Sequence, residues 1–197
     1  MDRYQIIGLI AFLLFYGSYL VKQLLQRRQG IATDRLGRGT KPKRTSITEV
    51  VLKATTFTTT VVQLVSLFAA RPESLLLPSQ PIRSIGLGLA FVGVAVFVTA
   101  MATMKTSWRA GIDASQQTRL IRRGIYRFTR NPAFVGFDLF YLGFALAFCN
   151  SFTLIFLALC ITMLHLQILE EEKFLPTVFG QEYTDYRQST ARYFWFL

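Results

Sequence analysis

The chain has one histidine and two cysteines, and both shortages exclude chemistry. Cys149 and Cys160 are eleven residues apart, and no CxxC spacing occurs. Neither a disulfide framework nor a Cys/His metal site is expected from that pattern. On one helix the separation is roughly 16 Å at 1.5 Å per residue, too far to bridge. Charge is scarce as well: 17% of residues are charged and 52% are hydrophobic. That excludes an ordinary soluble domain of this size. Internal repeats and low-complexity stretches are lacking. Acids are the scarcest charges, 11 against 22 lysines and arginines, for a formal net charge of +11. In a soluble chain such an excess would suggest nucleic acid. Here the basic residues lie between long apolar runs, where a topology signal accounts for them, and no nucleic-acid partner is expected.

What is present is a series of apolar runs of spanning length. About 18 or more apolar residues read as a membrane helix, because backbone groups in lipid must bond internally. The first run covers residues 4–25. Its positive charges (Lys22, Arg27, Arg28) follow the apolar core, and no small-x-small site closes it. It reads as a retained helix with its N-terminus outside, not as a signal peptide. Residues 26–46 carry seven basic residues and one acid, Asp34, and belong on the cytoplasmic side. The second run, 47–70, is the weakest. Glu49 and Lys53 are four apart and are expected to pair. Thr55, Thr56, Thr58, Thr59 and Thr60 can bond to the preceding turn or across to another helix. Residues 71–83 form a short outside loop. The third run, 82–104, offers Gly86, Gly88, Gly93, Ala90 and Ala95 for close helix contact.

Residues 105–131 form a second basic loop, again with seven basic residues and one acid, Asp113. Residues 132–148 and 151–168 read as a helical hairpin turned at Cys149-Asn150-Ser151. Asp138 in its first arm is expected to face protein, as a hydrogen-bond partner to the second or third span. His165 reads as a polar packing residue. The tail, 169–197, begins with Glu170-Glu171-Glu172. Three acids at a helix C-terminus would oppose the dipole, unless the helix continues through them. The fold class is therefore all-α: an integral membrane helical bundle of about five transmembrane helices, with a C-terminal hairpin and a cytosolic tail. Residues 1–104 would anchor it in the bilayer, and residues 105–197 would form the catalytic region.

Residues 120–136 read LIRRGIYRFTRNPAFVG. This basic, aromatic-bearing loop runs straight into an apolar helix. Asn131 suits the N-cap of that helix and Pro132 its first position. Free N–H groups and the dipole at such a helix start favour an anion. Tyr126 and Phe134 offer faces to a ring or a cation. The glutamates offer counter-charge. Charge counting puts loop, glutamates and tail on one membrane face. The combination suits a ligand with an anionic end, a ring and a positive centre.

The same stretch resembles the signature of the isoprenylcysteine carboxyl methyltransferase family, through Leu120, Gly124, Tyr126, Arg130, Asn131, Pro132, Phe134 and Gly136. The tail is similar to that family's second block, through Glu171, Glu172, Leu175, Phe179, Gly180, Tyr183 and Tyr186. The resemblance covers roughly residues 105–194, with the blocks about 35 residues apart across a tight hairpin. It implies an integral membrane methyltransferase that uses S-adenosylmethionine and a lipid-like or small hydrophobic acceptor, such as a carboxylate. By position it implies cofactor contacts at Thr118, Leu120, Ile121, Tyr126, Asn131, Pro132, Ala133 and Phe134. Gln167 and Glu171 would meet the acceptor, and Arg130 and Glu171 would be the catalytic residues. Members that act on prenylcysteine carry an arginine where this chain has Gln167. An amine or phenol acceptor would need a base, with Glu171 or His165 as candidates. Asn131, in place of a frequent histidine, resembles bacterial members and implies a prokaryotic-type inner or plasma membrane rather than endoplasmic reticulum. Two alternatives are an NADPH-dependent sterol-type membrane reductase and a non-catalytic lipid-binding membrane protein. The reductase block usually has an acid directly after its final glycine, where this chain has Phe137 before Asp138.

Overall fold

A computed structural model describes residues 1–39, 41–111 and 119–194. Its long elements are five α-helices: α1 (Arg3–Arg28), α2 (Lys43–Ala69), α3 (Gln80–Met104), α4 (Pro132–Ala147) and α5 (Ser151–Ser189). Short 3₁₀ turns cover Pro72–Ser74, Lys105–Ser107 and Gly124–Arg127. The all-helical bundle expected from the apolar runs is what forms. Four helices, α1, α2, α3 and α5, are long and apolar enough to cross a membrane. The fifth expected span, α4, has 16 residues. At 1.5 Å per residue that is roughly 24 Å, short of a bilayer core of about 30 Å.

The hairpin turn falls where the sequence puts it. Phe148 closes α4, and Asn150 opens α5 with a capping box to Thr153. The end of the last span differs from expectation. Helix α5 does not stop at Ile168 but runs on to Ser189, bent at Gly180, whose φ is 55°. Only glycine takes such a backbone at low cost. The glutamate run is therefore mid-helix, and its conflict with a C-terminal dipole disappears. We take the crossing part of α5 as its apolar residues 151–168; the remainder projects beyond it.

Helices α3 and α4 pack through small residues. A Cβ on Gly93 would meet Phe140 N at 2.5 Å, and one on Gly143 would meet Ala90 N at 2.4 Å. Gly86, Ala90 and Gly93 thus serve as expected, whereas Gly88 has nothing within 4 Å and Ala95 is exposed. Phe15 of α1 stacks on Phe140 of α4 with centroids 4.0 Å apart and joins α1 to this pair. Helix α2 lies on α5: Thr59 Oγ1 is 2.9 Å from Cys160 Sγ, and Asn150 Nδ2 donates to Ser66 Oγ at 2.9 Å. Cys149 and Cys160 are both free. Thr56, Thr58, Thr59 and Thr60 donate to carbonyls four residues back, as expected of that cluster.

The polar segments gather at one end of the bundle. Arg35 N donates to Ala110 O, and Ala110 N donates to Thr33 O, which zips the two basic loops together. Thr45 Oγ1 at the start of α2 donates to Glu170 Oε2 at 2.6 Å. The expected Glu49–Lys53 pair does not form. Glu49 takes Lys41 at 2.6 Å and the Gly37 N–H at 2.8 Å, while Lys53 reaches Asp34. The loop before α2 folds back and brings partners closer than the next helical turn does.

Candidate functional site

The folded-back tail closes over the 119–131 loop. Arg130 N donates to Ala191 O at 2.9 Å, and Thr129 Oγ1 donates to Arg192 O at 2.7 Å. Tyr186 OH donates to Tyr126 O at 2.6 Å. Glu172 is the ionic centre of this closure. It accepts from Arg130 Nη2 at 2.8 Å and from Arg192 Nη2 at 2.7 Å. Burial alone would raise its carboxyl, but hydrogen bonds and charge from Arg192 and Arg130 outweigh that and hold it low. Arg130 also donates to the carbonyls of Arg187 and Thr190.

Beneath this closure lies a cavity of about 760 Å³. That is within the range of small-molecule sites. Its walls come from α1, α2, α4, α5 and the loops on either side of the undescribed residues 112–118. Leu120, Ile121, Tyr126, Arg130, Asn131, Pro132, Ala133, Phe134, Gln167 and Glu171 all line it. These are the sequence-predicted site residues apart from Thr118, which lies outside the described residues.

Asn131 occupies the N-cap position of α4, but its side chain makes no capping bond. Its Nδ2 donates instead to Arg192 O at 3.2 Å. With Pro132 at the first helical position, the N–H groups of Ala133 and Phe134 start the helix without a side-chain cap. The cavity thus has an open helix N-terminus at one wall.

Glu171 stands at another wall. It is half-buried because it touches the cavity, yet protein encloses the cavity around it. Burial pushes its carboxyl up to about 7, with Glu49 and Glu172 adding to the rise and Gln167 and Lys41 opposing it. Gln167 Nε2 donates to Glu171 Oε1 at 3.1 Å. His165, the other candidate base, does not line the cavity; its Nδ1 is 2.6 Å from Tyr193 OH. Asp138 makes no expected bond to α2 or α3, and its Oδ1 is buried without a partner among the described residues.

Sequence reasoning missed most of the walls supplied by α1, α2 and the residues after α3. Tyr16, Tyr19, Lys53, Thr56 and Trp108 all line the cavity. Trp108 is the most informative. Its carbonyl accepts from Gln26 Nε2 at 3.3 Å, and its ring meets Phe97 edge-on, yet its Nε1 is buried without a partner. In sequence a tryptophan just past an apolar run looks like any interfacial aromatic. Among the described residues, buried polar atoms of the cavity-lining Trp108, Arg130 and Gln167 make no side-chain hydrogen bond (Nε1, Nε and Oε1).

Comparison with known proteins gives a consistent family. Residues 82–182 match the phospholipid methyltransferase family. Over 123 residues the chain is 29% identical to a probable protein-S-isoprenylcysteine O-methyltransferase of Oryza sativa subsp. japonica, covering 59% of this chain and 64% of that protein. It is 28% identical over 135 residues to protein-S-isoprenylcysteine O-methyltransferase A of Arabidopsis thaliana, covering 65% of this chain and 68% of that protein. The similarity therefore spans somewhat under two thirds of the length of the rice relative. These relatives are plant proteins and lend no weight to the prokaryotic-type membrane expected above.

Proposed function

Because the chain belongs to the phospholipid methyltransferase family, we propose that it is a multi-pass membrane methyltransferase moving a methyl group from S-adenosylmethionine to a hydrophobic, lipid-like acceptor. The observation that carries this reading is the convergence of both sequence blocks on one cavity. S-adenosylmethionine, when bound, supplies a methyl group on a positively charged sulfur.

The residues present suit such a donor. The open α4 N-terminus would hold an anionic part. Tyr126 and Phe134 would face the ring system, and Leu120, Ile121, Pro132 and Ala133 would complete the wall. Glu171 would offset positive charge. Gln167 and Glu171 would meet the acceptor. In this reading Arg130 is a positioning residue, since its Nη atoms serve Glu172 and two carbonyls. The protein's main task is to hold donor and acceptor in line and exclude water. Residues 105–197 carry most of the donor side. Residues 1–104 anchor the chain and add the Tyr16, Tyr19 and Thr56 wall. The Lys/Arg rule places the clustered basic loops, and the closure above the cavity, on the cytosolic side, with the N-terminus outside.

Thermal unfolding of the purified protein in lipid nanodiscs tests this reading. Ligand that binds only the folded state raises stability by mass action, about 2.7 kcal/mol at 100 times Kd. S-adenosylmethionine raises the Tm and NADPH does not. A shift with NADPH alone would select the reductase; no shift with either would leave a non-catalytic lipid binder.

A further inference from the structure

The cavity runs down the bundle as well as across its polar end. Three helices each line it at two positions seven residues apart: Gln23 and Tyr16 on α1, Lys53 and Thr60 on α2, Glu171 and Leu164 on α5. Helix α4 repeats the spacing with Phe134 and Tyr141. Helices α1 and α5 run toward the polar end, and α2 and α4 run away from it. Seven residues are roughly 10.5 Å at 1.5 Å per residue. Helices of both directions thus mark out one shaft, about two turns deep and parallel to the bundle.

The shaft changes character with depth. Its charged lining residues, Lys53 and Glu171 among them, stand at the polar end, and below them come Phe15, Thr60, Phe137 and Leu164. Tyr141 ends it. This residue is 1% exposed, and it lines both the cavity and a second void beyond, which Gln63, Phe144 and Leu157 help to close. The second void measures about 10 Å³, the lower limit for a single water. The Tyr141 ring is held against Phe137, with centroids 5.7 Å apart. At the same level Tyr16 OH donates to Gln63 Oε1 at 2.8 Å and ties α1 to α2.

We infer that Tyr141, backed by the Tyr16–Gln63 bond, is a floor that sets the length of the acceptor's apolar tail. This deepens the methyltransferase reading and rests on it. An extended chain advances about 1.2 Å per bond, so the shaft takes a tail of about nine bonds below a head held near Glu171. Lipid is as apolar as the shaft, so each added methylene gains little by leaving the bilayer. A tail that overruns the floor must displace a packed ring. Overpacking of that kind lowers affinity about 5- to 150-fold. Length is therefore selected by exclusion at Tyr141, not by added attraction.

The test uses two homologous series in nanodiscs, N-acetyl-S-(n-alkyl)cysteines and n-alkylamines, with tails on either side of the shaft length. Affinity is read from Tm shifts at equal mole fraction in the lipid. In the series whose head binds, wild-type affinity stays level up to a tail of about nine bonds and falls at least about fivefold beyond it. Tyr141→Ala joins the shaft to the second void and moves the break to longer tails by about four carbons. Tyr141→Leu moves it the same way by less and serves if the alanine variant does not fold. Phe144→Ala, which opens only the second void, leaves the break in place. A smooth length dependence in the wild type, a break that stays put in both Tyr141 variants, or no shift at any length in either series would overturn the inference. Failure of the underlying reading looks different: S-adenosylmethionine itself then gives no shift.

Discussion

Arg130 and Glu172 meet at 2.8 Å across 42 residues of chain, with each side chain about 5% exposed. Arg192 closes on the same carboxylate from the tail. A single acid thus joins the loop before α4 to the segment after α5, which makes it the keystone of the closure. Replacing Glu172 by Gln leaves Arg130 buried without its counter-ion. Removing one partner of a buried pair costs about 3–5 kcal/mol. Glu172→Gln therefore lowers the Tm strongly and weakens S-adenosylmethionine binding. Arg122→Ala is the control, since its pair with Glu182 is half-exposed on both sides and contributes little. A Tm for Glu172→Gln within the error of Arg122→Ala would contradict the keystone role.

Glu171 gives a pH dependence of defined sign. Its carboxyl sits at about 7 in the fold against an ordinary 4.5, chiefly because it is buried, with Glu49 and Glu172 reinforcing and Gln167 and Lys41 opposing. Between those two values the folded chain holds more proton than the unfolded one, so this residue's contribution to stability falls as pH rises from about 4.5 to 7 and levels off above. Glu172 carries the opposite sign, because its carboxyl is held below the ordinary value. The comparison that isolates Glu171 is wild type against Glu171→Gln. The variant gains on the wild type by up to about 3 kcal/mol between pH 5 and 8. A pH-independent difference would show that the carboxyl is not displaced.

Trp108→Phe keeps the ring against Phe97 and deletes only the unpartnered indole N–H. Ligand-free stability should stay within about 0.5 kcal/mol, because no bond is lost. If a ligand accepts from that N–H, its stabilising effect shrinks by about 1 kcal/mol, or roughly fivefold in affinity. Equal S-adenosylmethionine affinity in variant and wild type would assign Trp108 to packing alone.

Gly136 belongs to the signature stretch, yet its environment is the α3 backbone. A Cβ there would lie 2.8 Å from Phe97 N and Cβ. Gly136→Ala forces these helices apart and costs about 1–3 kcal/mol. Gly88→Ala, with nothing within 4 Å, is neutral or stabilising. Tm values of the two variants check the contrast, and equal values would contradict the α3–α4 packing.

Much of this was legible in the chain. Long apolar runs announced the helices, because lipid leaves a backbone no other partner. The Cys149-Asn150-Ser151 break marked the hairpin turn, and the fold adds the Asn150–Thr153 box there. Two separated blocks pointed to the loop and tail that meet over the cavity. Other features were not legible, for physical reasons. Glutamate is a good helix former, so the charge run after Ile168 could continue α5 as readily as end it. Glu49 had a suitable lysine one turn on, and only the folded loop reveals that Lys41 comes closer. Asn131 fits an N-cap by type, but the tail draws its amide away. The α1 and α2 walls came from residues that look like membrane filler until the helices are placed.

In the proposed function the cavity under the Arg130–Glu172 closure holds the methyl donor. The most direct measurement is ultraviolet cross-linking of radiolabelled S-adenosylmethionine to the nanodisc protein, followed by peptide mapping. Label on the peptides carrying Tyr126 and Phe134, and its loss with excess unlabelled ligand, is the predicted result. Saturable label confined to peptides outside the cavity, or no displaceable label at all, would contradict it.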